Sequence, residues 1–132
     1  MPVEHLSFFR KEAFIFSTLL CRAYLVCAII LTIALLWASI VPVVGQGVGP
    51  GYHRSLHLIS FAVLAFTWRG ALAQMSVLII ALYVIGFGVL QEVIEIFGHG
   101  HSFEIHDVVI DMFGVLIGAA LAQLGNKFPR TK

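Results

Sequence analysis

Charge is what this chain has least of. Of its 132 residues only 11% are Asp, Glu, Lys or Arg, while 60% are hydrophobic. A soluble domain carries about 25% charged residues, and a chain this short has too little interior to hide so many apolar side chains from water. Lipid is therefore the expected solvent. An excess of either sign is also missing. The net charge is +1 with no basic stripe, which argues against a nucleic-acid partner. Cysteine is nearly absent. Cys21 and Cys27 sit six residues apart in one apolar stretch, on different helix faces and about 9 Å apart along the axis, so they cannot bridge each other. Four helix-length apolar runs leave no room for a closed barrel, and an open sheet is not viable in lipid.

What is present is a set of long uncharged runs punctuated by charge. Ala23–Val44 holds 22 residues without a charge, well beyond the roughly 7–15 of a signal-peptide core, so it is expected to be a retained span. Pro42 and the turn Gly45-Gln46-Gly47-Val48-Gly49-Pro50-Gly51 end it. Ahead of it, Ala13–Cys21 reads as an extension of the span or an interfacial segment. Only 14 residues separate Arg54 from Arg69, whereas a span needs about 20. The second helix must therefore start near Gly51 and carry His53, Arg54 and His57 at its end. A third span is predicted over about 72–97, with Glu92 and Glu95 in its last turns. A fourth covers about 106–124, with Asp107 and Asp111 in its opening turns. The fold class expected is an all-α, four-transmembrane-helix bundle in a single domain, 1–132, with spans at about 23–44, 51–69, 72–97 and 106–124.

Basic residues orient it. Arg10, Lys11 and Arg22 precede the first span, Arg69 lies between the second and third, and Lys127, Arg130 and Lys132 close the chain. With both termini cytoplasmic, seven of the eight Lys and Arg lie inside and only Arg54 lies outside. Five of six histidines and five of seven carboxylates then fall at the outer end: His53, His57, His99, His101, His106, Glu92, Glu95, Glu104, Asp107 and Asp111. Several lie a turn or more inside their helices. A charge at the bilayer centre costs roughly 2.5–3.5 kcal/mol, and less near the interface. Such groups normally face one another or a wet cavity.

Helical spacing supports convergence. Glu92 and Glu95 are i, i+3, on the face of Gly88. Asp107 and Asp111 are i, i+4, and Gly114 and Gly118 continue their face as a small-residue ridge for close helix contact. Five carboxylates against one arginine require protonated carboxylates, charged histidines or a bound cation. His53 and His57 have the i, i+4 spacing of helical zinc ligands. No His-Glu-x-x-His accompanies them, so a divalent metal is an alternative and no cofactor is assigned. Polar groups in membrane bundles also serve as interhelical glue, worth about 0.6 kcal/mol each, and this bland role competes with function for His57, Glu92 and Asp107. The loop groups His99, His101 and Glu104 are expected to be solvated, and Trp37, Trp68 and Phe97 read as interface anchors.

Together these residues resemble the VanZ-like family, from about Ser39 to Gly118. Ser39-Ile-Val-Pro42 matches its Ser-x-x-Pro exit from the first span, and His53-Arg54-Ser55-Leu56-His57 stands where the family has Asp-Lys-x-x-His. Glu92-Val93-Ile94-Glu95 stands for Glu-x-x-Gln. Gly100-His101, Asp107, Asp111, Gly114 and Gly118 stand for a Gly-Arg loop, Asp, Asn and two glycines. The resemblance implies a small protein of the bacterial cytoplasmic (inner) membrane, sometimes tied to glycopeptide-antibiotic tolerance. Three readings follow. In the first, an outer-leaflet pocket of His57, Glu92, Asp107, Asp111 and Glu95 binds an envelope component such as a lipid-linked precursor headgroup, with Arg54 as the fixed cation for a phosphate. The second is an accessory subunit docking on a larger membrane-protein complex through the Gly114/Gly118 ridge. The third is a membrane-embedded enzyme acting on a lipid or peptide, with Glu92 or His57 as general base.

Overall fold

Each predicted apolar run becomes one α-helix in the computed structural model of the chain, which describes residues 3–41, 49–100 and 102–125. The helices are α1 (Val3–Ile40), α2 (Pro50–Ala71), α3 (Val77–His99) and α4 (Ile105–Gly125). Among the described residues there is no strand. Pro42, the Gly45–Val48 part of the predicted turn, the end of the first span at Val44, His101 and the basic residues Lys127, Arg130 and Lys132 lie outside the described residues.

The first helix is longer than the predicted span. It runs unbroken for 38 residues, about 57 Å at 1.5 Å per residue, nearly twice the ~30 Å of a bilayer core. The expectation of a start at Ala23 placed the boundary at Arg22. Yet Arg22 is exposed, and with no Gly or Pro between Val3 and Ile40 the backbone has no reason to break there. Ala13–Cys21 is thus an extension of the first helix. One stripe of α1 faces the bundle, through Ala28, Thr32, Leu35 and Ser39, at the i, i+4, i+7, i+11 spacing of one helix face. Its other faces are apolar and exposed, including Val26, Ile30, Ile33 and Trp37.

The second helix opens on Pro50, directly after the N-cap Gly49, where a missing N–H costs nothing. It packs on all three other helices, most extensively on α4. Phe61, Leu64 and Ala65 of α2 meet Ile80, Ala81 and Val84 of α3 and Val115 of α4 in the central core. Arg69, in the last turn of α2, is buried, although the sequence suggests only a loop charge there.

The third helix starts at Val77, five residues after the predicted Leu72. Ser76 stops it at that point: its side-chain oxygen accepts a bond of 3.2 Å from the Ile79 amide, which satisfies one of the orphan donors of a helix start. Residues 72–76 form the turn instead, closed by Leu72 N–H to the Trp68 carbonyl and Met75 N–H to the Leu72 carbonyl. Hydropathy could not mark this turn because Leu72 and Met75 remain packed against the core. At its far end α3 stops on Gly100, in the left-handed conformation with φ 70°, which glycine adopts without penalty.

Gly114 and Gly118 set the α2–α4 distance. A Cβ on Gly114 would press on the Leu58 carbonyl oxygen, and one on Gly118 would overlap the Ala62 carbonyl. The small-residue ridge therefore packs inside the bundle, against α2. Chain direction alternates along the four helices, so the C-terminal ends of α1 and α3 meet the N-terminal ends of α2 and α4.

Candidate functional site

That shared end carries the polar groups. Helices α2 and α4 run parallel and in register there, and two histidine–aspartate pairs bridge them one turn apart. His53 Nε2 lies 3.2 Å from Asp107 Oδ2, and His57 Nδ1 lies 3.0 Å from Asp111 Oδ1. The equal offset of 54 residues in both pairs follows from i, i+4 spacing on each helix, continued below by Leu58 against Gly114 and Ala62 against Gly118. His57, Asp107 and Asp111 are all buried. The two imidazoles have ring centroids 4.6 Å apart, and His57 stacks over Phe61 at 6.3 Å with an interplanar angle of 7°.

Helix α3 brings the remaining carboxylates. Glu92 is buried, and its Oε1 accepts a 2.6 Å bond from the Glu104 backbone N–H, which pins the α3–α4 loop over the site. Glu95 Oε1 accepts from Ser39 Oγ at 3.1 Å and from Gln91 Nε2 at 3.2 Å. Gly88, on the same face of α3, leaves the room these groups need. A Cβ there would stand 3.1 Å from both Asp111 Oδ2 and the Phe61 ring.

Of the residues singled out in the sequence, His53, His57, Glu92, Glu95, Asp107 and Asp111 come together, drawn from three helices. Arg54 does not: it is exposed, about 100° round the helix from His53. Glu104 contributes its backbone while its side chain is exposed, and His106 is exposed. His99 turns back to α1, where its Nε2 lies 3.2 Å from the Ala38 carbonyl. Two site residues escaped the sequence reading. Ser39 is fully buried, and its position in the Ser-x-x-Pro motif was the available signal. Gln91 is 4% exposed and sits one turn before Glu95, where an i, i+4 polar contact is expected.

One nitrogen or oxygen from each of His53, His57 and Glu95 forms a trio within 4.8 Å of one another. Such a cluster can bind a cation, accept hydrogen bonds from a ligand's hydroxyl or amino groups, or move a proton through the His57–Asp111 pair. Fold and site together define a class: a helical membrane protein, with three helices long and apolar enough to cross a membrane and a polar cluster buried at one end. No protein-family model, no curated protein and no solved structure matches the chain.

Proposed function

We propose that the chain is a VanZ-like protein of a bacterial inner membrane whose polar cluster binds the headgroup of an envelope lipid from the outer leaflet. In this reading all four helices span, both termini are cytoplasmic, and the cluster opens outward. The seven-to-one distribution of Lys and Arg supports that orientation. Helix α2 is the least apolar of the four, but its 22 residues reach about 33 Å, and its polar groups His53 and His57 are turned onto α4.

One observation carries the reading. Two histidine–aspartate pairs, the His57–Asp111 pair buried and the His53–Asp107 pair half-buried, converge with Glu92 and Glu95 at one end of the bundle, an arrangement more expensive in lipid than glue requires. The cluster is rich in acceptors, which suits a ligand's hydroxyl or amino donors. In this reading Arg54, exposed and next to His53 in the chain, takes the phosphate. The membrane-embedded enzyme is the second reading. It is favoured by the His57–Asp111 pair, since a base held by a buried carboxylate is the arrangement general-base catalysis uses. An accessory subunit would need a face other than the Gly114/Gly118 ridge, which α2 covers.

The test is lipid capture. Purified protein is incubated with a bacterial lipid extract in mild detergent, and retained lipids are identified by mass spectrometry. Selective retention of one polar-headgroup class, reduced at least about tenfold by Asp107→Asn, supports the headgroup site; a loss of about 1.4 kcal/mol is tenfold in affinity. A retained profile identical to the bulk extract overturns it. Conversion of a lipid that stops with His57→Gln selects the enzyme reading. If the headgroup reading holds, cells with and without the chain should differ in teicoplanin sensitivity.

A further inference from the structure

We infer that the cluster is a divalent-metal site, with zinc as the best-suited ion, held by His53, His57 and Glu95. This rests on the reading of the cluster as the protein's functional site and deepens it by naming what the side chains hold. Three features of the ligand set converge on this.

The first is that every candidate ligand has one polar atom fixed by an outer partner and one left over. Asp107 engages His53 Nε2 and Asp111 engages His57 Nδ1, leaving Nδ1 of His53 and Nε2 of His57 without a hydrogen bond to the described residues. Ser39 and Gln91 both bond Oε1 of Glu95, leaving Oε2. Carboxylates behind histidines are the usual outer shell of a zinc centre: they fix the tautomer, orient the ring and make the free nitrogen a better donor.

The second is spacing. One ligand atom from each of the three residues lies within 4.8 Å of the other two, whereas bonds of about 2.0–2.1 Å in a tetrahedron put ligand atoms roughly 3.4 Å apart. Binding therefore needs each side chain to close by about an ångström, within rotamer adjustment. Two histidines and one glutamate leave a fourth position open, as in catalytic zinc sites.

The third comes from outside the ligand trio. Gln91 Oε1 is buried without a hydrogen-bond partner among the described residues, while its Nε2 rests on Glu95. A buried acceptor of this kind requires a donor, and a metal-bound water at the open position supplies one. Charge agrees: Glu92, Glu95, Asp107 and Asp111 are four carboxylates with no Lys or Arg in the cluster, so a dication removes half of their formal charge when the histidines are neutral.

The experiment uses full-length protein in detergent, stripped with chelator and free of added lipid, at pH 7.5. Zinc is titrated by calorimetry and counted by mass spectrometry of the bound metal. One zinc per chain is expected. Affinity should fall about 100-fold in Glu95→Gln and in His53→Gln, about 10–100-fold in Asp107→Asn, and stay unchanged in His106→Ala. Cobalt added to the wild type alone should give the intense visible absorption of a tetrahedral site, a readout that needs no variant to fold. Absence of stoichiometric zinc in the wild type, or zinc binding insensitive to Glu95→Gln and His53→Gln in variants of native helicity and elution, overturns the proposal. Selective lipid retention by metal-free protein would then leave the headgroup reading standing, whereas metal binding without lipid selectivity would do the reverse.

Discussion

At His57, burial and pairing act on one side chain. The ring is 8% exposed, stacked over Phe61, and bonded to an aspartate that is itself buried. Truncating Asp111 to Ala strands a buried imidazole donor, and an unsatisfied group of that kind costs about 1–3 kcal/mol. Asp111→Asn keeps an acceptor oxygen in place and should cost less. Thermal unfolding in detergent, followed by helical circular dichroism, should rank wild type above Asp111→Asn and Asp111→Ala last. Equal midpoints for all three would mean that the pair contributes nothing to stability. Residue identity revealed which groups were chemically unusual, because a carboxylate or imidazole in an apolar run is visible at once. It did not show which of them face inward. His53 and Arg54 are neighbours in the chain, yet only the first enters the cluster, and that choice is fixed by the rotation of α2 against α4. Ser39 stood out only as part of a motif and Gln91 not at all, because an uncharged polar residue is cheap enough in a helix to reveal no role until its partner is known.

Among the elements, α4 and α2 approach until backbone meets backbone at Gly114 and Gly118. Gly118→Ala would push a methyl group into the Ala62 carbonyl, and both atoms belong to backbones that cannot step aside singly. The expected loss is about 1–3 kcal/mol, the usual range for overpacking, with Gly118→Leu worse. Gly86 on α3 is exposed with nothing near it, so Gly86→Ala should be neutral or gain about 0.5 kcal/mol through a stiffer unfolded chain. Folded fractions after mild heating, read by size-exclusion chromatography, distinguish the two glycines. The number of helices and the tightness of this contact were legible, since long apolar runs and a Gly-x-x-x-Gly ridge carry their own spacing. The ends of α1 and α3 were not. Charge was used to place both, whereas the backbone followed helix propensity through Arg22 and a serine cap at Ser76.

For the whole molecule, the proposed orientation is open to a direct check. Single cysteines at Gln46, His101 and Glu104, in a chain with Cys21 and Cys27 replaced by Ala, should react with an impermeant maleimide added to intact cells. Cysteines at Gln74 and Asn126 should react only after lysis. Labelling at Asn126 from outside would reverse the orientation and move the cluster to the cytoplasmic leaflet. Either way, what lies beneath the cluster is the same. Below His57 the chain places Phe61, Leu64, Ala65 and Val115, none more than 1% exposed, with no polar side chain among them. Polar pores need a continuous file of water or of exchangeable protons across the hydrocarbon, and this stack interrupts the file one turn below the imidazole. The cluster is a cul-de-sac. With no polar path continuing below it, vesicles carrying the protein should hold a proton gradient as long as empty ones.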